Sequence, residues 1–254
     1  MSELVTERRG AVLVARLNRP EARNALNGAL IDAIGSAVTE AERDPEIRAI
    51  VLTGTGDRVF CAGMDLRAFA AGEGTGSAEG GAAFGRLVQG ELAVPVVGAA
   101  NGTAVGGGLE LLMGCDVIIA ADTAKFGLPE VKRGLYPAGG GTNIGTRVPL
   151  AVALEMTMTG DPLDARRAYD LGLVNAVVPR EEVLGAALAM ADRIAENAPL
   201  ALAAIKELVR LGVTDSARAA ERNKVLQKSV FGSADAKEGA QAFVEKRKPV
   251  WKGR

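Results

Sequence analysis

The sequence predicts an α/β protein with a helical C-terminal part. Over the first three-quarters of the 254 residues, short runs rich in Val, Ile and Ala alternate with stretches whose apolar residues recur at helical spacing. From Glu181 onward, helical spacing alone continues almost to the end. Because 48% of the residues are hydrophobic, the chain can bury one large core. We expect this core in residues 1–195 and a helical region over residues 196–254.

The first half alternates strands and helices. In the helix predicted for residues 27–43, Leu30, Ile34 and Val38 share one face, and the Asp-Pro pair at 44–45 ends it. Residues 72–85 include six glycines, which predicts a mobile loop. In order, we predict a strand over 10–18, a helix over 27–43, a strand over 47–54, a short strand and a helix within DRVFCAGMDL, a strand over 94–102, a helix over 107–114 and a strand over 115–122.

The second half begins with loops and ends in helices. KFGLPE and KRGLYPAGGG are loop-like because of their Gly and Pro residues. Next come a helix after Thr142, two helices joined by a turn within LEMTMTGDPLDARRAYDLG, a strand over 174–178, and helices over 184–197, 200–211, 215–231 and 235–246. A recurrence of strand, strand and helix is visible but weak.

Composition disfavours several classes of protein. The net charge of −1 gives no reason to expect a nucleic-acid or membrane-surface partner. No apolar run reaches the roughly 18 residues of a transmembrane helix, and the first ten residues lack the apolar region of a signal peptide. Cys61 and Cys115 have no metal-ligand spacing and cannot form a disulfide framework, which fits a reducing cytoplasm.

Histidine is absent from the chain. This excludes Ser-His-Asp and Cys-His catalysis and removes the side chain that most often acts as a base near neutral pH. Any proton transfer must therefore use Glu, Asp, Lys, Tyr, Cys or water.

The triple glycine of NGTAVGGGLELLMGCD stands directly before a predicted helix. It does not match the G-x-G-x-x-G spacing and no Walker lysine follows, so a nucleotide-phosphate site is disfavoured. Two interpretations remain. Either a free N–H at the helix N-terminus stabilises an oxyanion, or two backbones pack closely. The same choice arises in FCAGMDL, where the turn at Gly63 either exposes the Met64 N–H or simply joins a strand to a helix.

Two glutamates stand in apolar surroundings. Glu110 lies one turn into the glycine-led helix, and Glu130 follows a proline in FGLPEV. A single acid of this kind is more often a cap or an ion-pair partner than a catalytic group. Two of them, one beside a candidate oxyanion donor, favour chemistry. Burial and a neighbouring carboxylate would raise the pKa of one, which supplies an acid and a base without histidine.

Four motifs resemble the crotonase superfamily, and most of all enoyl-CoA hydratases. They are FCAGMDL, NGTAVGGGLELLMGCD, FGLPEVKRGLYPAGGGT and TGDPLDARRAYDLGLVNAVVP, in the family's order. The resemblance implies a crotonase (ClpP-like) spiral of ββα units with a helical C-terminal region that forms a homotrimer, often a dimer of trimers. It also implies an acyl-CoA substrate, with coenzyme A entering as part of the thioester, and no separate cofactor or metal.

The resemblance further implies roles for individual residues. The N–H groups of Met64 and Gly107 would bind the thioester carbonyl oxygen. Glu110 would act as base on a water that attacks Cβ, and Glu130 would deliver a proton to Cα. Met64 and Tyr136 are larger than the family's usual residues and would shape the acyl pocket. The implied contacts to coenzyme A are Arg23, Ala62, Asp65, Leu66, Arg67 and Lys246, the last in some relatives from a neighbouring subunit.

The main functional prediction is a 2-enoyl-CoA hydratase. A Δ3-Δ2 enoyl-CoA isomerase, which needs one acid/base group, and a carnitinyl-CoA-type dehydratase, which LEMTMTG resembles, stay open. Ala138 stands where dienoyl-CoA isomerases and some dehydratases carry Asp, so we place such reactions below a plain hydratase. A non-catalytic acyl-CoA-binding protein is the alternative from another class, and the presence of both glutamates argues against it.

Overall fold

A computed structural model describes residues 2–74 and 76–254. The strands are β1 (Leu4–Arg9), β2 (Val12–Leu17), β3 (Ala49–Gly54), β4 (Val59–Cys61), β5 (Val96–Ala100), β6 (Thr103–Val105), β7 (Val117–Ala121), β8 (Lys125–Gly127), β9 (Leu163–Asp164) and β10 (Ala176–Val178). The α-helices are α1 (Gly28–Arg43), α2 (Leu66–Ala70), α3 (Ala78–Gln89), α4 (Gly107–Gly114), α5 (Leu150–Thr159), α6 (Ala165–Asp170), α7 (Val183–Ala195), α8 (Pro199–Thr214), α9 (Ser216–Phe231) and α10 (Ala234–Glu245). Short 3-10 helices cover Pro20–Ala22, Pro129–Arg133, Gly141–Thr146 and Arg180–Glu182.

The strands form two sheets, and the chain passes repeatedly from one to the other. The larger sheet has the order β1-β2-β3-β5-β7-β10, and the smaller has the order β4-β6-β8-β9. Strand β3 of the larger sheet is followed by β4 of the smaller, β5 by β6, and β7 by β8. This alternation is the spiral of ββα units that the sequence led us to expect, and it explains the weak strand-strand-helix recurrence.

The core lies against the parallel part of the larger sheet. Strands β2, β3, β5, β7 and β10 run parallel, and only β1 pairs antiparallel within this sheet. Every residue of β3 and β5 is buried, which accounts for their nearly continuous apolar sequence. Helix α7 packs on β3, β5 and β7, while α1 packs against α3. These two helical layers cover the larger sheet. The candidate active site, described below, lies at the smaller sheet.

The predicted mobile loop over residues 72–85 is wrong from Ala78 onward, because helix α3 begins there. Ser77 caps this helix by accepting the Gly80 N–H at 3.0 Å. A Cβ on Gly80 would lie 2.8 Å from Asp32 Cα, and one on Gly35 would lie 2.4 Å from the Gly80 carbonyl oxygen. Gly35 and Gly80 thus allow helices α1 and α3 to pack in direct contact, and the glycines of this segment do not indicate a loop. Thr75, within the predicted loop, lies outside the described residues.

Other differences concern short or exposed elements. Strand β1 was not predicted because five of its six residues are exposed and give no apolar pattern. Strands β6, β8 and β9 have two or three residues each. Strand β6 falls between the predicted strand over 94–102 and the predicted helix over 107–114, β8 falls in the loop-like KFGLPE, and β9 falls at the turn between two predicted helices. From Pro199 onward the regular elements are helices, but the division of the chain at residue 195 stays a prediction. Among the described residues, no helix has the length and apolar character needed to cross a membrane.

Candidate active site

Three neighbouring strands of the smaller sheet lead into the candidate site. Strands β4, β6 and β8 lie side by side and run parallel. Met64 comes three residues after β4, Gly107 two residues after β6, and Glu130 three residues after β8. Because the carboxyl ends of parallel strands meet at one edge of a sheet, these three segments converge there. This edge is where ligands bind in open α/β folds.

The turn after β4 presents the Met64 N–H. The Leu26 N–H donates to the Gly63 carbonyl at 2.8 Å, and the Asp65 N–H donates to the Leu26 carbonyl at 2.9 Å. Between these two bonds, the Met64 N–H has no acceptor within residues 2–74 and 76–254. Gly63 has φ +88°, a conformation in which glycine is not strained. Asp65 caps α2 by accepting the Arg67 and Ala68 N–H groups, which fixes the other side of the turn.

Each of the three consecutive glycines has a different reason to be there. Gly106 has φ +57° and caps α4. Gly107 is the first residue of α4, and its N–H has no acceptor in the described part of the chain. A Cβ on Gly108 would lie 2.3 Å from the Cys61 carbonyl oxygen, and one on Gly63 would lie 3.2 Å from Gly107 N. Both interpretations left open by the sequence therefore apply, since Gly108 allows close packing and Gly107 leaves a free N–H beside the Gly63 turn.

Glu110 is buried next to this turn and is held by a glycine-rich segment. Glu110 is only 8% exposed, and its Oε1 accepts a hydrogen bond from the Gly141 N–H at 2.8 Å. Burial raises the pKa of Glu110, while backbone N–H groups of Gly141 and Gly139 partly offset this by favouring the ionised form. A Cβ on Gly139 would lie 2.6 Å from Glu110 Oε2, so this segment must be glycine to approach the carboxylate.

Glu130 faces the same turn from the β8 side. A Cβ on Gly106 would lie 3.1 Å from Glu130 Oε1. The other oxygen, Oε2, is buried and has no hydrogen-bond partner among the described residues. Burial raises the pKa of Glu130, its own backbone N–H lowers it, the charge of Glu110 raises it further, and Arg133 lowers it. A buried acceptor without a partner costs about 1–3 kcal/mol, so this oxygen is suited to meet water or a substrate.

The two carboxylates lie in different environments. Glu110 receives backbone N–H groups that stabilise its negative charge, whereas Glu130 feels the negative charge of Glu110. The N–H groups of Gly141 and Gly139 thus favour the ionised form of Glu110, and the charge of Glu110 favours the protonated form of Glu130. Paired carboxylates in different environments are typical of acid/base sites.

The remaining predicted residues are less closely joined to this centre. The Ala62 N–H donates to the Arg23 carbonyl at 3.1 Å, which places these two next to each other. Arg23, Leu66 and Arg67 are exposed around the β4 turn. Tyr136 is 71% exposed in the loop that follows Glu130. Lys246 ends α10 and is exposed, and it makes no hydrogen bond to the other candidates within the described ranges.

Three positions that support the site were not identified from the sequence. Gly139 and Gly141 hold Glu110, as described above. Asn24 is fully buried with φ +54°, and its amide nitrogen lies 2.9 Å from the Thr55 carbonyl and 3.0 Å from that of Phe60. Asn24 therefore fixes β4 and the segment that leads into it from β3. The local sequence RNALN gives no signal for this role, because the partners of Asn24 lie more than 30 residues away.

Two other features do not contribute reactive groups. Burial raises the pKa of the Cys61 and Cys115 thiols to about 12, so neither is a nucleophile at neutral pH. A cavity of about 740 Å³ lies between α8, α9 and the segment that includes Gly140. Neither Glu110 nor Glu130 lines it. The candidate site is therefore the cleft at the strand ends, where the two carboxylates lie near the N–H groups of Met64 and Gly107.

Comparison with known proteins places the chain in a family. Residues 7–254 match the family model described as enoyl-CoA hydratase/isomerase. The chain belongs to this family. The resemblance to the crotonase superfamily is thereby confirmed, and so is the predicted fold class, because solved structures with this fold superpose on the whole chain. The protein is an enzyme of the hydro-lyase class, a hydratase or dehydratase.

The relatives carry two kinds of name. A carnitinyl-CoA dehydratase from Proteus mirabilis (strain HI4320) is 41% identical over 255 residues, which cover 97% of each chain. An enoyl-CoA hydratase from Mycobacterium tuberculosis H37Rv is 40% identical, with a TM-score of 0.90 and 100% of both chains covered. A carnitinyl-CoA hydratase from Mycobacterium avium is 44% identical, with a TM-score of 0.78 and the same coverage.

Proposed function

We propose that this enzyme adds water to, and removes water from, the Cα–Cβ bond of an acyl-CoA thioester. The observation that carries the proposal is the cleft in which the buried Glu110 and the half-buried Glu130, each in a different environment, lie near two N–H groups that have no acceptor among the described residues. These groups match the requirements of the reaction, which needs a donor for the carbonyl oxygen, a base for water and an acid for carbon. Coenzyme A enters as the substrate thioester.

In the hydration direction, the thioester carbonyl oxygen accepts the N–H groups of Met64 and Gly107. Negative charge builds up on this oxygen as the nucleophile attacks Cβ and an enolate forms. Donors that are fixed in advance stabilise such charge, and each contributes about 3 kcal/mol of barrier in comparable sites. The positive end of the α4 dipole lies behind Gly107 and adds to the effect. The turn geometry of both N–H groups supports this role.

The two glutamates divide the proton transfers. Glu110 takes a proton from water while the water oxygen bonds to Cβ, and Glu130 gives a proton to Cα as the enolate collapses. The π bond between Cα and Cβ is replaced by a C–O bond at Cβ and a C–H bond at Cα, while one O–H bond of water breaks. Glu110 is left protonated and Glu130 ionised, and both return to their starting states by exchanging protons with solvent. The environment of each carboxylate supports this division, because Gly139 and Gly141 favour an ionised Glu110. Arg23, Ala62, Asp65, Leu66, Arg67 and Lys246 remain the proposed contacts to coenzyme A.

The comparisons favour a carnitinyl-CoA-type substrate over the plain 2-enoyl-CoA that we first expected. Two relatives, at 41% and 42% identity, are named carnitinyl-CoA dehydratases, and a solved structure at 44% identity is named a carnitinyl-CoA hydratase. Such a substrate carries a quaternary ammonium group, which binds well to an aromatic ring face. Tyr136, exposed in the loop after Glu130, is the ring we propose for it. Ala138 has no charged group that could pair with the ammonium group. A plain enoyl-CoA hydratase is the second candidate, supported by the name of the M. tuberculosis structure.

Dehydration kinetics distinguish these substrates. We would compare 3-hydroxy-4-trimethylammoniobutyryl-CoA with its neutral isostere, 3-hydroxy-5,5-dimethylhexanoyl-CoA, and with 3-hydroxybutyryl-CoA, following the enoyl-thioester absorbance. The proposal predicts about tenfold higher kcat/KM for the cation than for the isostere, a preference lost in Tyr136→Ala and kept in Tyr136→Phe. Tyr169→Ala, an exposed tyrosine on α6, is the matched control. Equal turnover of all three substrates would favour the plain hydratase.

We also propose that the enzyme assembles as a homotrimer or a dimer of trimers. Two helices expose apolar stripes at i, i+4 and i+8, a pattern that marks an interaction surface. On α8 the stripe consists of Ile205, Val209 and Val213, and on α5 it consists of Leu150, Leu154 and Met158. A second copy of this chain is the proposed occupant. Light scattering should give three or six protomers, and Val209→Glu should yield smaller species. A wild-type monomer at micromolar concentration would refute the proposal.

A further inference from the structure

Two arginines meet at the C-terminal end of α4, opposite the end that enters the active site. Arg147 donates from Nη2 to the Met113 carbonyl and, at 2.9 Å, to the Cys115 carbonyl. Arg210 donates from Nη2 to the Gly114 carbonyl at 3.0 Å and to the Cys115 carbonyl at 3.2 Å. We call Arg147 and Arg210 the guanidinium clamp. The clamp binds carbonyls that α4 itself leaves without N–H partners.

The clamp concentrates positive charge at a partly buried place. Arg210 and Lys206 share the carboxylate of Asp116, at 2.9 and 2.8 Å. Three cations thus stand against one carboxylate, and Lys206 is almost fully buried. Burial, followed by the charge of Arg210, lowers the pKa of Arg147. Such a cluster is tolerated because the end of a helix carries partial negative charge. The charges are therefore arranged around the end of α4.

The clamp ties α4 to two other parts of the chain. Arg147 directly follows the 3-10 helix Gly141–Thr146, whose Gly141 N–H holds the Glu110 carboxylate. Helix α4 and the 3-10 helix Gly141–Thr146 are thus joined twice, once at the Glu110 carboxylate and once at the guanidinium clamp. Arg210 comes from α8, on which Ile205 and Val209 form part of the exposed apolar stripe. The clamp therefore connects the C-terminal helices with the helix that carries Gly107 and Glu110.

We propose that Arg147 and Arg210 are positioning residues of the active site. They hold α4 in place from its far end, and α4 in turn places the Gly107 N–H and the Glu110 carboxylate. Helix α4 has only eight residues, so a shift at one end is transmitted to the other. Neither arginine is a candidate contact of substrate. The kinetic part of this inference rests on the proposed function, whereas its structural part does not.

The test compares Arg210→Met with Arg210→Lys, which keeps the charge, and with Arg222→Met. The control breaks the ion pair of Arg222 with Glu207, which also joins α8 to another helix but does not touch α4. In Arg210→Met we expect kcat to fall about tenfold with KM changed less than twofold, because misplacement by a fraction of an ångström reduces rate more than binding. Arg210→Lys should recover part of kcat, and Arg222→Met should keep it.

Two further readouts separate positioning from loss of folded protein. If α4 shifts, Glu110 loses N–H donors, so the acidic limb of kcat/KM moves to higher pH, whereas a smaller folded fraction leaves the limb in place. Among the described residues, the charges that shift the pKa of Glu130 are those of Glu110 and Arg133, and the variants alter neither residue. Hydrogen exchange of the α4 amides, measured without substrate, should be faster in Arg210→Met than in Arg222→Met.

Unchanged α4 exchange, or a lower kcat with an unmoved acidic limb, would overturn the proposal. Faster α4 exchange together with a moved limb would support it. If the wild type turns over no acyl-CoA, the proposed function fails while the exchange experiment still decides whether the clamp holds α4. Should Arg210→Met not fold, Arg210→Lys against Arg222→Lys gives the same comparison, with smaller expected differences.

Discussion

Replacing Gly139 with alanine would place a methyl group against the Glu110 carboxylate. The added Cβ would lie 2.6 Å from Oε2 and 3.1 Å from the carboxyl carbon, whereas ordinary contacts begin at 3.4 Å. Either the carboxylate or the glycine segment must therefore move by roughly 0.8 Å, and Glu110 is held in place by the Gly141 N–H. A misplacement of about 1 Å in a reacting group costs on the order of 10²-fold in rate, or ~2.7 kcal/mol.

Gly139 itself is exposed and its φ is not in the left-handed region, so alanine is tolerated by the backbone. We expect kcat for Gly139→Ala to fall to about 1% of wild type, with Tm changed by no more than a few degrees. The assay follows the enoyl-thioester absorbance, with Tm measured by calorimetry.

Gly145→Ala is the matched control for this experiment. A Cβ at Gly145 meets nothing closer than Leu150 Cδ1 at 4.0 Å, so this variant should keep wild-type kcat. Full activity in Gly139→Ala, with an unchanged pH profile, would show that the position of Glu110 against this segment does not matter. The account of how the base is held would then be wrong.

Three more variants test the structure around the site. Asn24→Ala should lower the free energy of unfolding, measured in urea, by about 3 kcal/mol, because buried carbonyl groups lose their hydrogen-bond donor and alanine is left at a positive φ. Equal stability of Asn24→Ala and Asn24→Gly would show that the φ angle contributes nothing. Glu110→Gln should have a higher Tm than wild type at pH 8. Burial raises the pKa of Glu110 above 4.5, so the ionised carboxylate destabilises the folded state at pH values above its pKa. The difference in Tm between the variant and wild type should vanish near pH 4, where the carboxyl group is protonated in both the folded and the unfolded state. Gly108→Ala should fail to fold or lose several kcal/mol, because its Cβ meets the Cys61 carbonyl at 2.3 Å; a wild-type Tm would contradict the packing described here.

The sequence allowed much of the fold to be predicted wherever burial left a periodic pattern. Helix α1 and the buried strands β3, β5 and β7 were predicted within a few residues, because packing demands apolar side chains at regular spacing. The pattern failed for β1, which is mostly exposed, and for α3, where glycine serves helix contact. Strands β6 and β8 are too short to show a period, although they carry Gly107 and Glu130 into the site.

The site was predictable as a list of reactive residues but not as an arrangement. Glu110 and Glu130 stood out because carboxylates are unusual in apolar runs. The residues that hold them did not, since glycines at 139 and 141 read as a loop, and Asn24 depends on carbonyls over 30 residues away. Arg147 and Arg210 are 63 positions apart in the sequence. Their meeting at the end of α4 follows only from tertiary structure.

The central claim is that Glu110 and Glu130 together add or remove water. The most direct measurement compares hydration of crotonyl-CoA and 4-trimethylammoniocrotonyl-CoA by wild type, Glu110→Gln and Glu130→Gln. The account predicts that both variants still bind the thioester but lose at least about 10²-fold in kcat. If Glu110→Gln keeps most of the activity on the enzyme's best substrate, one acid/base group suffices. The two-carboxylate mechanism would then be wrong.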